Sequence, residues 1–309
     1  QCEEPSGCPE TYLPVQALGF RVQSYGMDMH KKLFTPRQLT ALTTFSDLVA
    51  EAQAKATQDA LDSGMQDDGK GLDEGGCGAT AYGQAVGVYL AFIVDKLADR
   101  GSTICSWDAT RDGLRNTFAR QAIPMTWDYA EANPFSSSSG CFDNMLEWVF
   151  KSLLEFPATI TGTAIQQDAQ TDCGLRNLVI SSDPPYYDNI GYADLADYFY
   201  IWMRQSLKST YPRLFRTMLV PKAEELVATP YRFEGSREKA RDFFECGMVQ
   251  ACRQFYRYAR EDVPVTIYYA YKQSESDEGD NAAQASTGWE TMLSAIIKAG
   301  FAITGTWPM

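Results

Sequence analysis

Leu39, Leu42, Phe45, Leu48 and Val49 recur at the spacing that places side chains on one face of an α-helix. Thr35-Pro36 stands just before them. Threonine suits an N-cap and proline the first helical position, so a helix is predicted from Pro36 to about Leu61. Residues 82–97 are apolar almost throughout and predict a helix buried on most sides. Residues 107–121 predict another helix, and 142–154 an amphipathic one. The stretch 63–80 is rich in Gly and Asp and is expected as a mobile loop; Asn133-Pro134-Phe135 and the serines at 136–139 form a second loop. Residues 1–34, with Pro5, Pro9 and Pro14, are irregular apart from a strand near 18–23. The first half is therefore expected to be mainly helical.

Beyond it the pattern changes. Residues 158–166 have the β-branched content of a strand. Leu178-Val179-Ile180-Ser181 is a short apolar run that predicts a buried strand. It ends at Asp183-Pro184-Pro185, because proline lacks the N–H that a ladder or helix needs. Helices are expected over 192–207, 237–260 and 289–298, the last closed by Gly300, with strands over 264–271 and 301–306. Strands alternating with helices predict an α/β fold built on a doubly wound, mostly parallel sheet. The division is 1–157, mainly helical, and 158–309, α/β.

Composition narrows the function classes. At 309 residues with 45% hydrophobic residues, the chain has material for a large core. No run of about 18 apolar residues suggests a membrane span. The opening Gln1-Cys2-Glu3-Glu4-Pro5 has neither the basic nor the apolar region of a signal peptide. Net charge is −13, from 27 Lys+Arg against 40 Asp+Glu. That balance argues against an autonomous nucleic-acid binder, since neutralising phosphates supplies most non-specific affinity, but a local basic groove stays open. Much of the acid sits in 59–74 and 275–280, expected as solvated loops. The 8 cysteines are scattered, which favours reduced thiols and a cytoplasmic setting over a disulfide framework. Cys2 and Cys8 are too loosely spaced, without a second pair, to make a zinc site here, so no metal is expected. His30 is the only histidine, which removes His-based triads and multi-His metal sites. Neither a Gly-x-Ser-x-Gly elbow nor a phosphate-binding Gly-x-x-x-x-Gly-Lys-Ser/Thr loop occurs.

One segment carries chemistry. In doubly wound sheets, ligands sit beyond the carboxyl ends of the strands, where Ser182-Asp183-Pro184-Pro185-Tyr186-Tyr187 is expected. The lone pair of an exocyclic base amine is delocalised into the ring. An acceptor that takes a hydrogen bond from the amino group localises that lone pair for attack on a methyl group. Asp183, helped by the Pro184 carbonyl, has the chemistry for this. Pro184 and Pro185 stiffen the loop, and Tyr186 offers a flat face for a base drawn out of the helix. The plain alternative is an ordinary turn.

The wider segment, Ser-Ser-Asp-Pro-Pro-Tyr-Tyr-Asp-Asn-Ile-Gly-Tyr-Ala-Asp-Leu-Ala-Asp-Tyr-Phe-Tyr-Ile-Trp-Met-Arg-Gln-Ser-Leu over 181–207, resembles the adenine-specific DNA methylases that contain an internal zinc ribbon. The likeness extends upstream to Leu33-Phe34-Thr35-Pro36-Arg37-Gln38-Leu39, the run 118–125, Trp127-Asp128-Tyr129 and Asn133-Pro134-Phe135. Downstream it takes in Val220-Pro221-Lys222-Ala223-Glu224-Glu225-Leu226, the run 268–275, Thr287-Gly288-Trp289-Glu290-Thr291 and Thr306-Trp307-Pro308-Met309. Lys272 and Trp289 fall in these motifs without an assigned role.

The resemblance implies a Rossmann-like doubly wound sheet and transfer of methyl from S-adenosylmethionine to the N6 amine of adenine in DNA, in a modification or phage-defence system. It implies that Asp183, Pro184, Pro185 and Tyr186 form the reactive loop. Aspartate at the head of that loop leans toward N6-adenine over N4-cytosine, and away from RNA or protein amide nitrogen. It places Phe34, Thr35, Pro36 and Asp168 near the cofactor. Such enzymes also carry a glycine-rich cofactor loop after the first strand. Gly75-Gly76-Cys77-Gly78 follows acidic loop sequence instead of an apolar strand, so it does not match. The expectation is a fragment corresponding to the later part of such an enzyme, or one half of a split enzyme whose partner chain supplies the glycine loop. A non-catalytic subunit of a defence complex is the competing reading.

Overall fold

The computed structural model describes residues 3–17, 19–157, 159, 162–187, 190–269 and 280–307, with the backbone alone for 280–287. The fold is mixed α/β. Among the described residues there are six α-helices and two sheets of two strands each, so the strands do not join into the larger sheet expected from the sequence. The chain forms two compact units. The first comprises Gln1–Ile160 and Tyr192–Pro221, the second Thr161–Gly191 and Lys222–Met309.

In the first unit, α1 (Pro36–Asp62) starts as its sequence predicts. The Gln38 N–H donates to Thr35 Oγ1 at 3.3 Å, and the Thr35 N–H donates to Gln38 Oε1 at 2.8 Å, a reciprocal cap that satisfies two helix-end donors. Helix α2 (Ala79–Arg100) lies close against α1 because Gly83 has no side chain. A Cβ there would come within 2.0 Å of Thr57 Oγ1. Helix α3 (Phe142–Glu155) follows, and α4 (Tyr192–Leu207), which comes after the 183–187 segment in sequence, belongs to this unit too. Tyr198 and Trp202 of α4 are fully buried with Leu33, Ile93 and Val94, and the Tyr198 hydroxyl donates to the Ala98 carbonyl at 2.7 Å. His30, 1% exposed, sits in the same unit with Nδ1 2.9 Å from Thr11 Oγ1.

Several expectations are corrected here. Residues 107–121 do not form a helix. Strands β1 (Ser106–Asp108) and β2 (Gly113–Arg115) pair antiparallel instead. Asp108 accounts for this: its Oδ1 accepts from the Thr110 N–H at 3.0 Å and the Thr110 hydroxyl at 2.6 Å, a local bond that competes with helix. Asp112 then takes a positive φ of 45°, and Arg115 pairs with Asp108 at 3.1 Å across the hairpin. The strand near 18–23 is not found either: Val22–Tyr25 is a 3₁₀ turn, and Leu18 lies outside the described residues.

The loop between α1 and α2, expected to be mobile, is tied down by its own acids. Asp68 accepts from the Lys70 and Cys77 N–H groups at 3.1 and 3.2 Å; Asp67 accepts from the Thr80 N–H and hydroxyl at 3.1 and 2.7 Å. These bonds favour the ionised forms and lower both carboxyls below their ordinary range.

The second unit holds β3 (Ser181–Ser182), α5 (Arg237–Tyr258), β4 (Thr266–Ile267) and α6 (Asp280–Lys298). Its core joins Phe244 and Met248 of α5 to Met292 and Ala295 of α6, with Leu226 and Ala228 from the connecting chain. Gly247 leaves room for Leu226, whose Cδ2 would stand 2.3 Å from a Cβ at that position. Of the expected strand 158–166, residues 158, 160 and 161 lie outside the described residues, and 162–166 are irregular. The strand expected over 264–271 is reduced to β4, with 270 and 271 outside the description. The final strand over 301–306 is irregular chain; Phe301 packs edge-on against Tyr256, ring centres 5.3 Å apart. Gly300 closes α6 with φ +105°, as expected of a C-terminal glycine.

Candidate active site

The chain from Leu178 to Ser182 is held along one edge by a parallel partner. Leu178 donates to the Tyr258 carbonyl at 2.7 Å and accepts from the Arg260 N–H at 3.0 Å. Further on, Thr266 donates to the Ile180 carbonyl at 3.0 Å and Tyr268 to the Ser182 carbonyl at 2.8 Å. In β3 and β4, Ser181 faces Thr266 and Ser182 faces Ile267. The strand was expected to be buried. Val179 is instead 66% exposed and Ser181 is exposed: they share one face of the strand, which is left uncovered, while Leu178 and Ile180 on the other face are half-buried. Asp183 follows directly at the carboxyl end of this parallel pair, although the doubly wound sheet at whose edge the loop was expected is not formed among the described residues.

Two adjacent tyrosines then divide the labour. Tyr187 is the anchor. Its N–H donates to the Tyr269 hydroxyl at 3.2 Å, its carbonyl accepts from the Ala228 N–H at 2.6 Å, and its ring meets Phe244 edge-on at 5.1 Å. Tyr186, one residue earlier, is half-buried, and its hydroxyl donates to Asp183 Oδ1 at 3.0 Å. Its ring stands nearly perpendicular to that of Tyr269, with centres 5.6 Å apart. Pro184 is buried, Pro185 half-buried and Asp183 exposed. The loop thus has a fixed base and a presented carboxylate–phenol pair.

The residues assigned to the cofactor have other occupations. Phe34 is 5% exposed, stacked on Tyr198 at 5.6 Å and edge-on to Trp202 at 5.5 Å, so its ring belongs to the core of the first unit. The Thr35 side chain caps α1, and Pro36 is its first residue. Asp168 is exposed and heads a turn: its Oδ1 accepts from the Gln170 N–H at 2.9 Å, and its carbonyl accepts from the Thr171 hydroxyl at 2.8 Å. That turn is fastened to α5 by Gln254, whose Nε2 donates to the Gln170 carbonyl at 3.1 Å. Asp183, Pro184, Pro185 and Tyr186 are therefore brought together in one loop. Asp168 stands on a separate turn of the same unit, and Phe34, Thr35 and Pro36 belong to the first unit.

The glycine-rich segment at 75–78 precedes α2 and is folded back on itself. A Cβ on Gly76 would lie 2.1 Å from the Lys70 carbonyl oxygen, so these glycines serve close packing of their own loop. The cysteines at 8, 77, 105, 141, 173, 246 and 252 are unbridged; Cys2 lies outside the described residues, as does Lys272. Among the described residues no three His, Cys, Asp or Glu side chains are placed to hold a metal ion, and no helix is long and apolar enough to cross a membrane.

Sequence reasoning named Tyr187 within the loop but gave it no role, and it did not find Tyr269 or Ala228 as parts of the site. The doubled tyrosine at 186–187 is a signal, because a strand-like end sends consecutive side chains to opposite sides, one inward and one outward. No local pattern pairs Tyr187 with Tyr269, which is 82 residues away. No family model, curated protein or solved structure matches the chain.

Proposed function

We propose that this chain carries the acceptor side of an S-adenosylmethionine-dependent amino-methyltransferase acting on the N6 amine of adenine in DNA. The observation that carries the reading is the loop itself. A proline-stiffened turn at the carboxyl end of a parallel strand pair presents Asp183 and Tyr186 as a hydrogen-bonded pair, 3.0 Å apart. In this reading the Asp183 carboxylate, with the Pro184 carbonyl, accepts hydrogen bonds from the amino group and localises its lone pair. Tyr186 stacks on the flipped base and, through its hydroxyl, fixes one carboxylate oxygen. Proximity and orientation supply most of the acceleration. The parallel pair β3/β4 with α5 and α6 is, in the same reading, the kernel of a Rossmann-like sheet.

The residues first assigned to the methyl donor do not fit that task. The Phe34 ring is core, Thr35 is a helix cap, and Asp168 serves its own turn. A second reading therefore keeps its place: one part of a split enzyme, or a subunit of a defence complex, in which another chain cradles the donor. The folded-back glycine loop at 75–78 favours it.

Transfer of labelled methyl from S-adenosylmethionine to mixed DNA, followed by nucleoside digestion and mass spectrometry, tests both. N6-methyladenine from this chain alone supports the first reading and removes the second. N4-methylcytosine moves the acceptor. Absence of product, together with absence of binding to DNA carrying an unpaired adenine, rejects the acceptor-side assignment.

A further inference from the structure

The structure assigns Tyr269 as a positioning residue for the reactive loop, and this assignment rests on the amino-methyltransferase reading of that loop. One phenol hydroxyl joins three elements. It accepts from the Tyr187 N–H at 3.2 Å and donates to the Gly288 carbonyl of α6 at 3.4 Å, while Tyr269 itself lies two residues past β4. The ring reaches both neighbours as well. It is edge-on to Tyr186 at 5.6 Å and tilted by 31° against Trp289 at 6.1 Å.

A second feature points the same way. Gly288 is buried, and a Cβ on it would stand 3.1 Å from Tyr187 Cβ and 3.4 Å from Cγ. Glycine at this place is what lets α6 come near enough to the loop for Tyr269 to bridge them. The loop's amide end is thus fixed by a side chain and not by a strand ladder, which ends at Ser182 and Ile267. That matters for Tyr186. With Tyr187 pinned through both its N–H and its carbonyl, the residue before it has little backbone freedom, and its hydroxyl is delivered to Asp183. Geometry held to within about 0.5 Å separates a productive acceptor from a merely present one.

Tyr269→Phe removes the hydroxyl and keeps the ring contacts. Amide hydrogen exchange of the full chain, read by mass spectrometry on peptides covering 183–187, should quicken about five- to tenfold at Tyr187, with α5 peptides unchanged. Gly288→Ala, which leaves the hydroxyl in place but crowds Tyr187, should quicken the same peptide. Tyr268→Phe serves as the control and should leave it alone. Unchanged exchange in both Tyr269→Phe and Gly288→Ala overturns the pinning. In the methyl-transfer assay Tyr269→Phe should lower kcat at least tenfold with KM for DNA little changed. Faster exchange with wild-type kcat overturns the positioning role while the transferase reading stands. Faster exchange in the variants of a protein whose wild type neither transfers methyl nor binds DNA leaves a pinned loop but rejects the transferase reading, and the positioning role falls with it.

Discussion

The two units are built on different principles. In the first, helices α1, α2 and α4 bury large side chains against one another, and Leu33, Ile93, Val94, Tyr198 and Trp202 leave almost no surface. Some of its polar groups are settled locally, as in the Thr35–Gln38 cap, while the buried Asp95 Oδ1 has no hydrogen-bond partner. In the second, the segment proposed to carry the chemistry has almost no regular structure. β3 and β4 are two residues each, and the loop after them is held by bonds that include a phenol hydroxyl and a distant N–H, with aromatic contacts to Phe244 and Tyr269. A packed helical core resists small changes. A loop held by a few directional bonds can be moved by losing one of them, and it can also present groups to a ligand. The contrast explains why Phe34 is buried while Asp183 is exposed, although both sit in segments that resemble methylase motifs.

The largest effect expected from this contrast is at Asp183. Asp183→Ala removes an exposed carboxylate whose bond is to the neighbouring Tyr186 hydroxyl. Methyl transfer should fall by roughly a hundredfold or more. Stability should stay within about 0.5 kcal/mol of wild type in urea unfolding, as is usual for surface sites away from the core. Near-wild-type turnover would remove Asp183 from the chemistry. A large loss of stability would mean that the loop is a structural element of the second unit, and the contrast between the units would fail.

Helical segments were legible because their signals are local. The cap at Thr35, the apolar stripe of α1 and the stop at Gly300 each depend on residues a few positions apart, and each appears where expected except that Leu48 of the stripe is exposed. The helix expected at 107–121 does not form because local turn chemistry prevails: Asp108 accepts from the N–H and the hydroxyl of Thr110, and Asp112 takes a positive φ before Gly113. The place of the Asp183–Tyr186 loop at a strand end was legible; the reactivity assigned to it remains a proposal. The fixing of the loop was not legible, since Tyr187 and Tyr269 meet only in three dimensions. A linear division at 157/158 also has no way to express that α4, on the far side of the loop, packs with the first unit. The expected sheet rested on β-branched composition, which shows that a stretch suits a strand and says nothing of whether partners are at hand.

Phe34 gives the next prediction. Phe34→Ala deletes a ring packed on Tyr198 and Trp202 and should cost about 3–5 kcal/mol in urea unfolding followed by far-ultraviolet circular dichroism. Phe34→Leu should cost much less, because it keeps most of the apolar volume. If Phe34→Leu instead kept stability but abolished S-adenosylmethionine binding in a calorimetric titration, the ring would have a ligand role that its burial does not suggest.

The smallest effect tests how dry the first core is. Asp95 lies on α2; its Oδ1 is sealed from solvent without a hydrogen-bond partner, and burial pushes its carboxyl well above the ordinary value of 3.8. Below that value the folded and unfolded chains both hold the proton, and the group costs nothing. As pH rises past it, the unfolded chain releases the proton while the folded chain keeps it, so stability falls with rising pH until the folded group also ionises. Asp95→Asn lacks this proton linkage. At pH 7 it should be more stable than wild type, because the mutant does not lose stability as the unfolded chain's carboxyl ionises. The difference should shrink toward zero as the pH is lowered below 4. A flat difference across that range would mean that water reaches Asp95. The first unit would then be looser around α2 than its buried aromatic core implies, and the contrast with the loop-built second unit would narrow from the helical side.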